Sequence, residues 1–200
     1  MAEQIAPPVP AGDLAPGAPE PRDHAAPAAQ AVRRTIVVGL GNPVLGDDAV
    51  GWRVADLVEA GLVTAREIAG PVEGDCPDVD VERLGVGGLR LMEFLEGYDA
   101  AILVDAAEFA DRPIGEVRSC ALDDLDCYAA GHLDSAHDAS LVTALALGRR
   151  LGASLPANIQ AVTVQIHSVD EFSEQLTPAV EAAVPVAAAA VFELLASAGR

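Results

Sequence analysis

Two hundred residues, 51% of them hydrophobic, suffice for one well-buried domain and fall short of two. Thirty-one acidic residues against twelve basic ones leave a formal charge of −19, which repels polyanions and argues against nucleic acid or an anionic membrane as partner. All twelve basic residues are arginine, so Schiff-base and phosphate-loop lysine chemistry is excluded.

Met1 to Gln30 carry seven of the fourteen prolines and nine alanines without β-branched periodicity, a composition that cannot offset its ordering entropy. Residues 1–32 therefore read as a disordered Pro/Ala-rich tail and 33–200 as a single α/β domain. Thr35-Ile36-Val37-Val38 is a short strand closed by Gly39, and Val50, Val54, Leu57 and Val58 follow at helical spacing. Asp78 to Leu84 alternates as a strand, Gly87-Gly88 opens a helix over Leu89 to Leu95, and Ala100 to Val104 has the continuous apolar character of a strand buried on both faces. Glu116 to Cys120 fits a short edge strand, Asp138 to Leu151 a helix and Ile159 to Ile166 a strand. Thr177-Pro178 starts a long alanine-rich helix to about Ala198, which Pro185 is expected to bend or interrupt. Strands alternating with helices predict a three-layer α/β/α sandwich with a mostly parallel central sheet, whose ligands sit beyond the carboxyl ends of the strands.

Neither a signal-peptide core nor a basic start occurs in the first thirty residues, and no later apolar run reaches spanning length uninterrupted. Cys76, Cys120 and Cys127 lack C-x-x-C spacing and fit neither a disulfide framework nor a structural zinc site. The expectation is a soluble, cytoplasmic protein whose cysteines are incidental thiols or small buried hydrophobes.

Polar residues concentrate where strands end. Gly39-Leu40-Gly41-Asn42-Pro43-Val44-Leu45-Gly46-Asp47-Asp48 runs a strand into a glycine-rich turn ending in two carboxylates. A phosphate cradle needs backbone N–H groups and positive charge, whereas this loop presents negative charge, so it reads as a cation or proton-handling site. Val44 stands where the dinucleotide fingerprint would have its third glycine, and no G-x-S-x-G nucleophile elbow is present. One of Asp47 and Asp48 is expected to cap the helix through Val50, leaving the other to coordinate. Asp105 ends Ala101-Ile102-Leu103-Val104-Asp105, either as a cap for the following segment or as a site carboxylate. His137 stands at a helix start, where the macrodipole favours the neutral imidazole that metals require. His167 competes for the nitrogen position, His132 is five residues before His137, and His24 lies in the tail. Two aspartates and a histidine from three strand-following loops make a two-oxygen, one-nitrogen set with an open position, suited to a divalent transition metal.

These segments resemble the maturation endopeptidases of nickel-containing hydrogenases. The likeness is carried by Gly39 to Gly51, by Ile102-Leu103-Val104-Asp105-Ala106 and by Ser135-Ala136-His137-Asp138. Glu82 to Gly88 and Glu174-Gln175-Leu176-Thr177-Pro178 add to it in order and position. The resemblance implies a cytoplasmic endopeptidase that removes a C-terminal extension from a hydrogenase large-subunit precursor after nickel insertion. It places the family's metal-contacting groups on Asp48, Asp105 and His137, with the nickel presented by the precursor. Family members carry Glu or Asp at the first of these positions, and the aspartate here is one methylene shorter. Gly85, Gly87 and Gly88 would let an extended substrate backbone pass closely. Two other functions compete. A non-catalytic assembly factor would bind the nickel-loaded precursor without cutting it. A peptidyl-tRNA hydrolase shares Gly39-Leu40-Gly41-Asn42-Pro43 but diverges at Leu45-Gly46-Asp47-Asp48, and the negative charge is wrong for tRNA.

Overall fold

A computed structural model describes residues 34–69, 78–109, 111–122, 124, 141–167 and 172–198. The expected tail, residues 1–32, lies outside them. Nine regular elements follow one another among the described residues: β1 (Arg34–Leu40), α1 (Val50–Ala69), β2 (Asp78–Leu84), α2 (Gly88–Leu95), β3 (Ala100–Ala107), β4 (Val117–Ala121), α3 (Leu141–Leu151), β5 (Asn158–Gln165) and α4 (Pro178–Ala198). A 3-10 turn, Gly46–Ala49, leads into α1.

The strands form one sheet in the order β2-β1-β3-β5-β4. β1 runs parallel to β2 and to β3, and β3 runs parallel to β5; β4 alone is antiparallel, at the edge against β5. Side-chain alternation sorts the core into two layers. Val37, Ile102, Val104, Val162 and Val164 face α1 and α4, burying Val50, Val54, Val58, Val180, Ala187 and Val191. Ile36, Val38, Leu40, Ala101, Leu103 and Ile159 face α2 and α3, against Leu91, Leu95, Leu141 and Leu145. The α/β/α sandwich is as expected. Each fully buried valine or leucine stabilises it by roughly 1.5–3 kcal/mol relative to exposure.

Close helix–sheet approach depends on two glycines. A Cβ on Gly39 would stand 2.2 Å from the Gly51 carbonyl oxygen, and one on Gly51 would stand 2.2 Å and 2.5 Å from the carbonyl oxygens of Leu40 and Val104. Only bare backbone at both positions lets the start of α1 settle over the ends of β1 and β3.

Several boundaries differ from expectation. β3 continues past Asp105 to Ala107, because β5 supplies partners through the pair Ala107 and Gln165. α4 is continuous through Pro185, which lies on the exposed side, as does Glu181, whose carbonyl would otherwise receive the missing N–H. Pro178–Ser197 is long and apolar enough to cross a membrane by length and composition alone, although Glu181, Pro185 and Glu193 interrupt its apolar run. In the fold, Val180, Ala183, Ala187, Ala188, Val191 and Leu195 of this helix are core residues.

Cys120 is disulfide-bonded, which corrects its reading as an incidental thiol. Spacing arguments detect local motifs, whereas a half-buried cysteine on the edge strand β4 can pair with a sulfur brought near only by folding. Cys76 and Cys127 lie outside the described residues.

Candidate active site

The sheet order creates a crevice at one place. From β1 the chain passes to β2 on one side and then crosses to β3 on the other, so the loops leaving β1 and β3 diverge. Those loops and strand ends carry the candidate carboxylates.

The β1–α1 loop is shaped by glycine and by its own hydrogen bonds. Gly41 has φ +133°, and a Cβ there would stand 1.9 Å from the Asp48 carbonyl oxygen, so the loop folds back on itself only around this residue. Asp48 closes the loop: its Oδ2 accepts the Asn42 N–H at 2.7 Å. The Gly41 N–H donates to the Leu84 carbonyl at 3.1 Å, tying the loop to the end of β2 beside Gly85. Asp48 is 9% exposed and Asp105 only 1%. The 3-10 turn that carries Asp48 packs against β3. Both aspartates are partnered, and both lie at the β1/β3 switch.

The alternation of β3 points Asp105 to the same side as Leu103, toward α2 and α3. The capping role weighed for Asp105 does not hold, since it is an internal residue of β3. Directly across from it on β5 is Thr163, 2% exposed. Two residues on, Gln165 Oε1 accepts the Phe109 N–H at 2.9 Å and Gln165 Nε2 donates to the Ile166 carbonyl at 2.8 Å, which fixes the chain as it leaves β3 and β5.

The adjacent acid, Asp47, turns away from this crevice. Its Oδ1 accepts the Thr177 N–H at 2.6 Å and its Oδ2 accepts the Thr177 hydroxyl at 2.8 Å. Thr177 precedes the first residue of α4, and its carbonyl accepts the Glu181 N–H at 2.8 Å. The N-cap position of the 3-10 turn, Leu45, makes no side-chain cap hydrogen bond. Asp47 instead anchors the start of α4, 130 residues away. Backbone bonds from Gly46 N–H to Ser173 C=O and from Ser173 N–H to Val44 C=O join the same two loops. Proximity of Thr177 to the double acid was not legible from spacing; the only signal was the Glu174 to Pro178 segment taken as a whole.

His137 and His132 lie outside the described residues. His167 is exposed and lines a cleft of about 460 Å³ with Glu108, Phe109, Arg112 and Gln165, beyond the ends of β3 and β5; neither Asp48 nor Asp105 lines that cleft. No cluster of three or more His, Cys, Asp or Glu side chains able to hold a metal occurs among the described residues. Asp48 and Asp105 are two buried carboxylates, one in the 3-10 turn that packs against β3 and one on β3 itself, near the crevice where a doubly wound sheet receives its ligand.

Comparison with known proteins agrees with this architecture. The hydrogenase maturation protease family model, HycI, matches residues 71–194. Among solved structures, the hydrogenase maturating endopeptidase HybD from E. coli superposes with a TM-score of 0.64 at 25% identity, covering 83% of this chain and 94% of that one. The hydrogenase 2 maturation peptidase of a Thaumarchaeota archaeon gives 0.54 at 27% identity, covering 82% and 98%. The NiFe hydrogenase maturation protease HybD from Thermococcus kodakarensis, at 18% identity and a TM-score of 0.56, shares the fold over 81% and 99%. No curated protein matches the sequence. With the family match spanning more than half the chain, this chain belongs to the hydrogenase maturation protease family.

Proposed function

We propose that this protease removes the C-terminal extension of a hydrogenase large-subunit precursor, and that Asp48, Asp105 and His137 engage the nickel centre which that precursor presents. The observation that supports the reading is that two buried carboxylates, Asp48 in a folded-back loop packed against β3 and Asp105 within β3, lie at the β1/β3 switch. Buried carboxylates there suit a divalent cation carried by the substrate, and His137, from the segment before α3, supplies the nitrogen donor. In this reading the metal is part of the substrate, and it would polarise the scissile carbonyl or acidify a water. The protein's own contribution is orientation. Asn42 N–H holds one oxygen of Asp48. Gly85, exposed just after β2 and beside the loop, would let an extended peptide pass closely. With Cys120 disulfide-bonded, the cysteines no longer support a reducing compartment, and cytoplasmic location rests on the family likeness alone.

The test is incubation of the purified protein with candidate precursors, nickel-loaded and nickel-free, followed by intact-mass measurement. The expected result is loss of the C-terminal peptide from the loaded precursor only, abolished in Asp48→Asn, Asp105→Asn and His137→Ala proteins that remain folded. Binding of the loaded precursor without cleavage would favour the assembly-factor reading. Normal cleavage by His137→Ala would remove the histidine from the site.

A further inference from the structure

Thr163 is the residue whose chemistry the fold leaves unexplained. It lies within β5, an interior strand of the sheet, directly opposite Asp105 in the parallel ladder, so the two side chains leave the sheet on the same face about 5 Å apart. It is 2% exposed, and its Oγ1 is buried with no hydrogen-bond partner among the described residues. A buried hydroxyl in that condition disfavours folding, and valine, of the same shape, would fill the position without the penalty. A hydroxyl kept at a cost beside a site carboxylate points to a bond made in another state.

We propose that Thr163 is a positioning residue for Asp105: when the precursor docks and the carboxylate turns to engage it, the Thr163 hydroxyl donates to one Asp105 oxygen and holds the other toward the substrate. A carboxylate has two equivalent oxygens and rotates about its terminal bond, so a single donor from the neighbouring strand is enough to select one orientation. The inference rests on the reading that Asp105 takes part in the reaction.

Thr163→Val, Thr163→Ser and Asp105→Asn proteins, assayed for cleavage of the nickel-loaded precursor and for thermal unfolding, test it. Thr163→Val is expected to lower kcat about ten-fold or more with KM little changed, while Tm holds or rises. Thr163→Ser is expected to recover most of the rate. Thr163→Ala serves the same comparison if valine prevents folding. Full activity in Thr163→Val overturns the proposal, as does a Tm loss that accounts for the lost rate and is not relieved by serine. If Asp105→Asn also cleaves normally, the active-site reading itself fails; if only the Thr163 variants are normal, it survives and the positioning role does not.

Discussion

The bond pair between Asp47 and Thr177 is the sharpest place to perturb this fold, because it joins loops far apart in sequence and sits next to a proposed site residue. Each bond is charge-assisted, at 2.6 and 2.8 Å, and such bonds contribute about 1.5–3 kcal/mol apiece when shielded. Asp47 is 7% exposed, but Thr177 is solvent-exposed, so water can replace part of what is lost on that side. For Asp47→Ala the expected destabilisation is therefore about 2–3 kcal/mol, below the sum of two shielded bonds. At roughly 2–4 °C per kcal/mol for a domain of this size, Tm should fall by about 4–12 °C. Thr177→Val removes the hydroxyl bond and keeps the N–H bond, for about 1 kcal/mol, and the double variant should fall short of additivity by a similar amount. Urea unfolding of the four proteins, read as midpoint shifts at constant slope, gives the cycle. Stability of Asp47→Ala within 0.5 kcal/mol of the parent, or strict additivity, would show that the contact carries no energy.

Gly41→Ala should lose at least about 3 kcal/mol and all processing, since its Cβ would stand 1.9 Å from the Asp48 carbonyl at φ +133°. Gly97→Ala is its control: φ is +87° but no atom lies within 4 Å, so unfolding should show about 1–2 kcal/mol of strain with processing intact. Burial, reinforced by the hydrogen bond from Tyr98 to Asp80 at 2.7 Å, pushes the Tyr98 phenol up from 10.0 to about 12. Folding thus favours the protonated phenol, a contribution that is whole below pH 10 and lost as pH rises toward 12. Tyr98→Phe should flatten that part of the stability profile, and an unchanged alkaline limb would contradict it.

Much of the fold was legible because this sheet is mostly parallel and covered on both faces. Its strands read as β-branched or continuous apolar runs, and Asp78 to Leu84 has the predicted ends. Where the reading faltered, distant partners decided the outcome. Asp105 looked like the end of a strand because polar residues usually leave the sheet, yet pairing with β5 carries β3 two residues farther. Pro185 looked like a break, yet its missing N–H falls on a solvent-facing side while the opposite stripe of α4 stays packed on α1 and the sheet. Cys120 looked like a lone thiol because sequence spacing says nothing of which sulfur folding brings close.

The site shows the same division between local and distant information. Two adjacent aspartates after a strand announced acid chemistry, but their separate tasks depended on what each one met. Successive residues in a tight turn point to different sides, so one acid of the pair can face the crevice only if its neighbour faces elsewhere. Here Asp47 meets Thr177 at the start of α4, and Asp48 meets Asn42 within its own loop. The first bond fixes the loop against the rest of the protein, and the second fixes its curvature around Gly41. Because both act on the backbone that carries Asp48, loosening either one should move the carboxylate before it unfolds the sheet. Asp47→Asn separates these effects: it keeps an acceptor for the Thr177 N–H, so stability should drop by about 1 kcal/mol, while the lost negative charge weakens the hold on the loop. The expected signature is a fall in cleavage rate larger than the stability change accounts for, and equal losses in both would place Asp47 in the scaffold alone.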